Sequence, residues 1–170
     1  MKQLTLIMFA ALGLTGCGYH VAGKADLVPE EIRTIAILPF NNVSMQYKLS
    51  DFLAESVSRE LITRTRFKVV ADPAKADAIL SGAVANLFSS AIVSDPVTAR
   101  STGVQMTVMI QARLVDSKGK VLFERPNIQF NERYEISVDP KQYFDESGPA
   151  LQRLSRDVAK EIVSAILENF

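Results

Sequence analysis

Val104-Gln105-Met106-Thr107-Val108-Met109-Ile110-Gln111-Ala112-Arg113-Leu114-Val115 alternates apolar and polar residues through most of its length. Val104, Met106, Val108, Ile110, Ala112 and Leu114 share one face. Gln105, Thr107, Gln111 and Arg113 share the other, interrupted by Met109 and Val115. A period of two over this length predicts a strand with one face buried and the other in water. Asp116-Ser117-Lys118-Gly119 follows and predicts a hairpin turn, with glycine where the backbone needs positive φ. Val121 to Glu124 is the return strand. Arg125-Pro126 breaks it, and Asn127 to Ile136 continues with Ile128, Phe130, Tyr134 and Ile136.

Upstream, Ala78 to Val93 predicts a long strand, with Gly82 marking a bulge. Asp95 to Thr102 reads as a polar loop. Arg33 to Phe40 is a nearly all-apolar strand, expected to be central and to end or bulge at Pro39, which has no N–H for a ladder. Phe40-Asn41-Asn42 reads as its exit turn. Tyr47 to Arg64 places Leu49, Phe52, Leu53, Val57, Leu61 and Ile62 on one helical stripe. Ser50 or Ser44 is the expected N-cap. Asp51 and Glu55 early and Arg59 and Arg64 late complement the helix dipole. Phe67 to Val70 is a short strand, and Ala74 to Asp77 a brief turn or helical piece. Pro140 to Pro149 links to a second amphipathic helix, Ala150 to Leu167. Its stripe is Leu151, Leu154, Val158, Ile162, Val163 and Ile166, with Arg153, Arg156, Lys160 and Glu161 toward water. The expected fold is α+β: a two-layer sandwich with two amphipathic helices on one face of a four- to five-stranded, mostly antiparallel sheet.

Lysine plus arginine balances aspartate plus glutamate at 19 each. A nucleic-acid binder usually carries a basic excess, so no nucleic-acid partner is expected. One histidine and one cysteine speak against a His/Cys metal site, and one cysteine forms no internal disulfide. No nucleophile elbow or phosphate-binding glycine loop is present, so no enzyme activity and no cofactor are expected.

The cysteine stands at a telling place. Lys2 supplies a positive start, Leu4 to Leu14 is an apolar run broken only by Thr5 and Gly13, and Leu14-Thr15-Gly16-Cys17 closes it. The run is too short to span a bilayer, which takes roughly twenty apolar residues, and has the three-part order of an export signal. Its ending resembles the lipobox of bacterial lipoproteins. That resemblance implies cleavage between Gly16 and Cys17, then S-diacylglycerol and an N-acyl chain on Cys17. Each buried methylene contributes about 0.8 kcal/mol and one chain alone holds only marginally, so several chains on one residue make a firm anchor. Residues 1–16 are then a signal peptide, 17–31 a lipidated tether, and 32–170 a single domain. Gly18, rather than aspartate, after the cysteine points to the outer membrane, periplasmic side.

Further matches extend along the chain. Cys17-Gly18-Tyr19-His20-Val21-Ala22-Gly23 resembles the mature start of the LptE family, lipopolysaccharide-assembly lipoproteins of the outer membrane. Ile32-Arg33-Thr34-Ile35-Ala36-Ile37 with Phe40-Asn41-Asn42, then Ala76-Asp77-Ala78-Ile79-Leu80-Ser81-Gly82, the Val104 to Phe123 hairpin and the closing helix fall in that family's order. The resemblance implies a structural partner that sits as a plug inside LptD, a large outer-membrane β-barrel, helps it fold, and with it inserts lipopolysaccharide into the outer leaflet. It also implies contact with lipopolysaccharide itself. Ile35-Ala36-Ile37-Leu38-Pro39-Phe40 is shared with lipoproteins carrying curli-secretion-like or TolB-N-like domains, so a subunit of another envelope complex is the alternative.

Lipopolysaccharide carries phosphates, which call for clustered Lys or Arg. Arg64, Arg66 and Lys68 follow the first helix, and Lys118 and Lys120 flank the central turn. Each cluster also has a plain reading, as dipole complement or as polar hairpin. His20 lies in the tether with no organised partner. Asp139, Asp145 and Glu146 sit in a linker, not on the rigid elements that paired carboxylates require.

Overall fold

A computed structural model describes residues 31–94, 96–97, 101–137 and 146–169. Among them lie one mixed sheet of six strands and two α-helices. The strands are β1 (Thr34–Ile37), β2 (Asn41–Asn42), β3 (Lys68–Val70), β4 (Ala78–Ser94), β5 (Ser101–Asp116) and β6 (Val121–Glu135). The helices are α1 (Lys48–Arg64) and α2 (Ser147–Glu168). The sheet order is β3-β1-β4-β5-β6, with β2 also paired to β4.

The α+β class and the helices match the expectation, but the strand count is six. The sheet is mixed because β1 and β3 flank a helical crossover. An intervening helix returns the chain to the end where it started, so the two strands run parallel. Thr34 pairs with Lys68 and Ile35 with Ala78 in these parallel ladders. The long pairings β4–β5 and β5–β6 are antiparallel as expected. The sheet end where β1, β3 and β4 begin and β5 turns into β6 is here the base. The opposite end, where β4 gives way to β5, is the tip.

Pro39 breaks the first strand, as its missing N–H requires. The chain does not leave afterwards: Asn41 and Asn42 rejoin the ladder against Ala83 and Val84. Gly82 marks no bulge, since it pairs regularly with Ala112; the register shift falls between Val84 and Asn86. Gly82 instead makes room for the buried Phe40 ring. Pro126 is passed through with a register shift, so the two return segments form the single edge strand β6.

One face of the sheet is dry. Ala78, Leu80 and Val84 of β4 and Met106, Val108, Ile110, Ala112 and Leu114 of β5 are buried. They meet Leu49, Leu53, Val57 and Leu61 of α1 and the whole expected stripe of α2. Ile62 is the exception on α1, 59% exposed. Neither serine caps α1: Tyr47 holds the cap position, and the Ser50 hydroxyl donates to the Phe40 carbonyl. Helix α2 starts earlier than expected, with Pro149 in its first turn, where a missing N–H costs no helical bond. Arg153 does not face open water; it donates to Glu132 at 2.6 Å and to the Arg133 carbonyl at 3.3 Å, pinning α2 to β6.

The other face is polar, though Thr107, expected toward water, is buried there and finds its partner in Asn131. Thr107 donates to Asn131 at 2.7 Å, Arg133 reaches Gln105 at 3.4 Å, and Arg113 pairs with Glu124 at 3.8 Å. No helix of the described residues is long and apolar enough to cross a membrane.

Candidate functional site

The two basic clusters come together at the base. Helix α1 runs back toward the base from beside the middle of β4, so Arg64 and Arg66 arrive beside the start of β3, where Lys68 sits opposite Thr34. The β5–β6 turn carries Lys118 and Lys120 to the same end, two strands beyond β1. At about 4.8 Å per strand the two clusters are on the order of 15 Å apart.

A hydrogen-bonded row joins them. The Lys68 amide donates to the Arg33 carbonyl at 2.8 Å. Asp77 Oδ2 accepts from the amides of Arg33 at 3.0 Å and Thr34 at 2.8 Å, and from the Thr34 hydroxyl at 2.7 Å. The Asp77 amide donates back to Thr34 Oγ1 at 2.9 Å, and the Asp77 carbonyl accepts from the Ser117 amide at 2.9 Å. Asp77 thus ties β1 to the turn that bears the lysines. The Thr34 hydroxyl, helped by the Arg33 and Thr34 amides and the Arg33 charge, holds its carboxyl below the usual carboxylate range.

The turn is ordered the same way. Asp116 Oδ1 accepts from the amides of Lys118 and Lys120, both at 2.8 Å, and Gly119 takes φ +86°. Asp116 therefore fixes the backbone from which both lysine side chains project. Lys68, Lys118 and Lys120 are exposed and make no ion pair among the described residues. Arg66 is exposed as well. Arg64 is committed elsewhere: its guanidinium donates to Glu60 at 3.2 Å and to Ser164 of α2 at 2.8 Å. It clamps the two helices together, so the basic set facing solvent is Lys118, Lys120, Lys68 and Arg66.

Chemically this is a set of point charges on a stiff sheet end, suited to phosphate or carboxylate groups spread over a surface. The groove between the helices, about 310 Å³, is lined by Phe52, Glu55, Arg59, Gln152, Arg156 and Lys160. It mixes both signs of charge. Among the described residues no cluster of three or more His, Cys, Asp and Glu could hold a metal ion. Gly16, Cys17 and His20, and with them the expected signal cleavage and lipidation, lie outside the described residues, as do Asp139 and Asp145. Sequence reading missed Asp77 and Asp116, the two carboxylates that build the site. Asp116 had a signal in its turn motif; Asp77 stood inside a family-like motif, but its role was hidden because its partners are forty or more residues away.

Among solved structures, an uncharacterized lipoprotein B from Nitrosomonas europaea is similar, with TM-score 0.56 and 18% identity, over 86% of this chain and 88% of that one. A putative lipoprotein from Caulobacter crescentus CB15 gives TM-score 0.54 and 15% identity, over 79% and 88%. A PelC dodecamer from Paraburkholderia phytofirmans gives 0.51 and 16%, over 80% and 90%. At these identities the likeness is one of fold. No curated protein matches the sequence. The sequence model of one family, LptE, lipopolysaccharide-assembly, matches residues 32–166, which is most of the chain and nearly all of the folded body described above. The chain belongs to the LptE lipopolysaccharide-assembly family.

Proposed function

We propose that this chain is an outer-membrane lipoprotein, anchored through Cys17 on the periplasmic side, that plugs an LptD-type β-barrel and supports its folding. Together they insert lipopolysaccharide into the outer leaflet. The observation that carries the proposal is the family match over residues 32–166. The polar sheet face supports it: Gln105, Gln129 and Asn131 suit the polar lumen of an outer-membrane barrel. Lys118, Lys120, Lys68 and Arg66 at the base are the groups proposed to meet lipopolysaccharide phosphates. The role is binding and support, not catalysis.

The test is affinity capture of the tagged, natively lipidated protein from detergent-solubilised outer membrane, with mass spectrometry of what comes with it. One large β-barrel at equal stoichiometry is the expected result. A ring of identical subunits, or no barrel, overturns the reading and favours a different envelope complex. Intact-mass measurement of the purified protein tests the anchor: it should begin at Cys17 and carry the added acyl mass.

A further inference from the structure

The sheet has three free edges, and they are treated differently. β3 is only three residues long and opens with Lys68. β6 carries Pro126 and the charged residues Glu124, Arg125, Glu132, Arg133 and Glu135. Short edges, prolines and charges are the usual means of keeping a sheet from pairing with another chain. The third edge lacks them. β4 is 17 residues long and contains no charged residue and no proline. On the side away from β5, β1 and β2 pair with it only as far as Val84, near its middle. Beyond that point, among the described residues, no strand lies beside it. Register shifts after Val84 and after Ala91 leave residues 86–91 between them as a regular segment, in unbroken register with β5.

The two sides of this segment differ. Leu87, Ser89 and Ala91 stand opposite Val108, Met106 and Val104, which are buried, so they continue the dry face. Ser89 and Ala91 are nonetheless exposed. Asn86, Phe88 and Ser90 stand opposite Met109, Thr107 and Gln105, on the polar face. Neither the segment nor the six residues opposite it carry a charge. A strand laid along the edge therefore meets an apolar row on one side and a neutral, mostly polar row on the other. It fits best when it is uncharged and itself alternates apolar and polar residues. Strands of outer-membrane barrels have that alternation.

We infer that the open edge of β4 takes up an extended segment of the barrel partner, which pairs along residues 86–91 as an added strand. The added strand satisfies the open row of backbone N–H and C=O groups. In strand addition the main-chain bonds give affinity and alternate side chains give specificity. Here its apolar residues lie beside Leu87, Ser89 and Ala91, and its polar ones beside Asn86, Phe88 and Ser90. A second copy of this chain is not the occupant, because one plug fills one barrel. This inference rests on the barrel-plug reading and deepens it. It gives the support of barrel folding a physical form: a preformed sheet edge that holds one barrel segment extended.

The test is hydrogen–deuterium exchange, read by mass spectrometry, on the captured plug–barrel complex beside the purified, natively lipidated chain in the same detergent. Roughly half of the amides of an antiparallel edge strand point away from its neighbour. Those of residues 86–91 should exchange at least tenfold more slowly in the complex, while β3, the short edge, exchanges alike in both. Ser89→Lys puts a charge on the dry side of an exposed position, a usual way of blunting an edge. It should remove the slowing, and an unchanged thermal transition of the isolated variant confirms that the fold is kept. A captured barrel with no slowing at residues 86–91, with equal slowing along β3, or with slowing indifferent to Ser89→Lys overturns this inference and leaves the plug reading standing. Capture of no barrel overturns the plug reading and this inference with it.

Discussion

Phe40 fills the space over Gly82 that a side chain at residue 82 would need. A Cβ added there would collide with the Phe40 ring and would come within 2.7 Å of the Gln111 carbonyl oxygen. The ring could shift, but the carbonyl belongs to the neighbouring strand and cannot move without disturbing the ladder. Gly82→Ala should therefore destabilise the protein by about 1–3 kcal/mol, the usual cost of overpacking a tight site. Urea denaturation measures it, and a change under about 0.5 kcal/mol would show that the site has slack.

The carboxylate of Asp77 holds three donors, and its pKa is lowered by them. A depressed folded-state pKa means that the unfolded chain binds more protons as pH falls. This contribution is therefore present above the unfolded value of about 3.9 and is lost as pH drops through the folded one. Asp77→Asn should lower the melting temperature at pH 7 and make the wild-type and variant curves converge below about pH 4. Thermal melts from neutral to strongly acid pH check this, and parallel curves throughout would contradict it.

Arg153 and Glu132 form a partly buried pair at 2.6 Å, with the glutamate side chain only 18% exposed. Removing the arginine leaves that carboxylate poorly solvated. Arg153→Ala should cost about 1–3 kcal/mol, whereas Arg59→Ala, which breaks an exposed pair with Glu55 on α1, should cost under about 0.5 kcal/mol. Chemical denaturation of the two variants side by side gives the comparison, and equal losses would refute the distinction.

Lys118 and Lys120 project from a turn whose backbone is fixed by Asp116, so their side chains can change without cost to the fold. The double variant Lys118→Glu, Lys120→Glu should keep its melting temperature within about 2 °C, since surface changes usually stay within about 0.5 kcal/mol. It should bind lipopolysaccharide at least tenfold more weakly at low salt, with the difference shrinking as salt rises. Fluorescence titration at two ionic strengths measures both. Unchanged affinity would remove the base of the sheet as the phosphate-facing site.

Arg64→Met tests the division of labour within the first basic cluster. Because Arg64 bonds Glu60 and Ser164, its loss should lower stability and leave lipopolysaccharide affinity unchanged. Lys68→Glu should do the reverse. Denaturation and lipopolysaccharide titration of both variants decide it, and a drop in affinity for Arg64→Met at unchanged stability would reverse the assignment.

Local pattern carried most of what the sequence determined. The alternation of β5 set its buried face residue by residue, the stripe of α2 was buried in full, and Asp116 to Gly119 formed the expected turn. These are short-range rules: a period of two or 3.6 is written in neighbouring residues. The motifs, more than the charges, carried the family. Tertiary structure decided the rest. The parallel pairing of β1 with β3 and β4, the return of Asn41–Asn42 to the ladder, the place of Phe40 over Gly82 and the commitment of Arg64 and Arg153 all depend on partners far along the chain. So does the gathering of Arg66, Lys68, Lys118 and Lys120 at one end of the sheet, which follows from strand order and direction. The physical reason is that periodicity reports which face of an element is dry, while the identity of its neighbour is set only when every strand and helix must bury its apolar face at once.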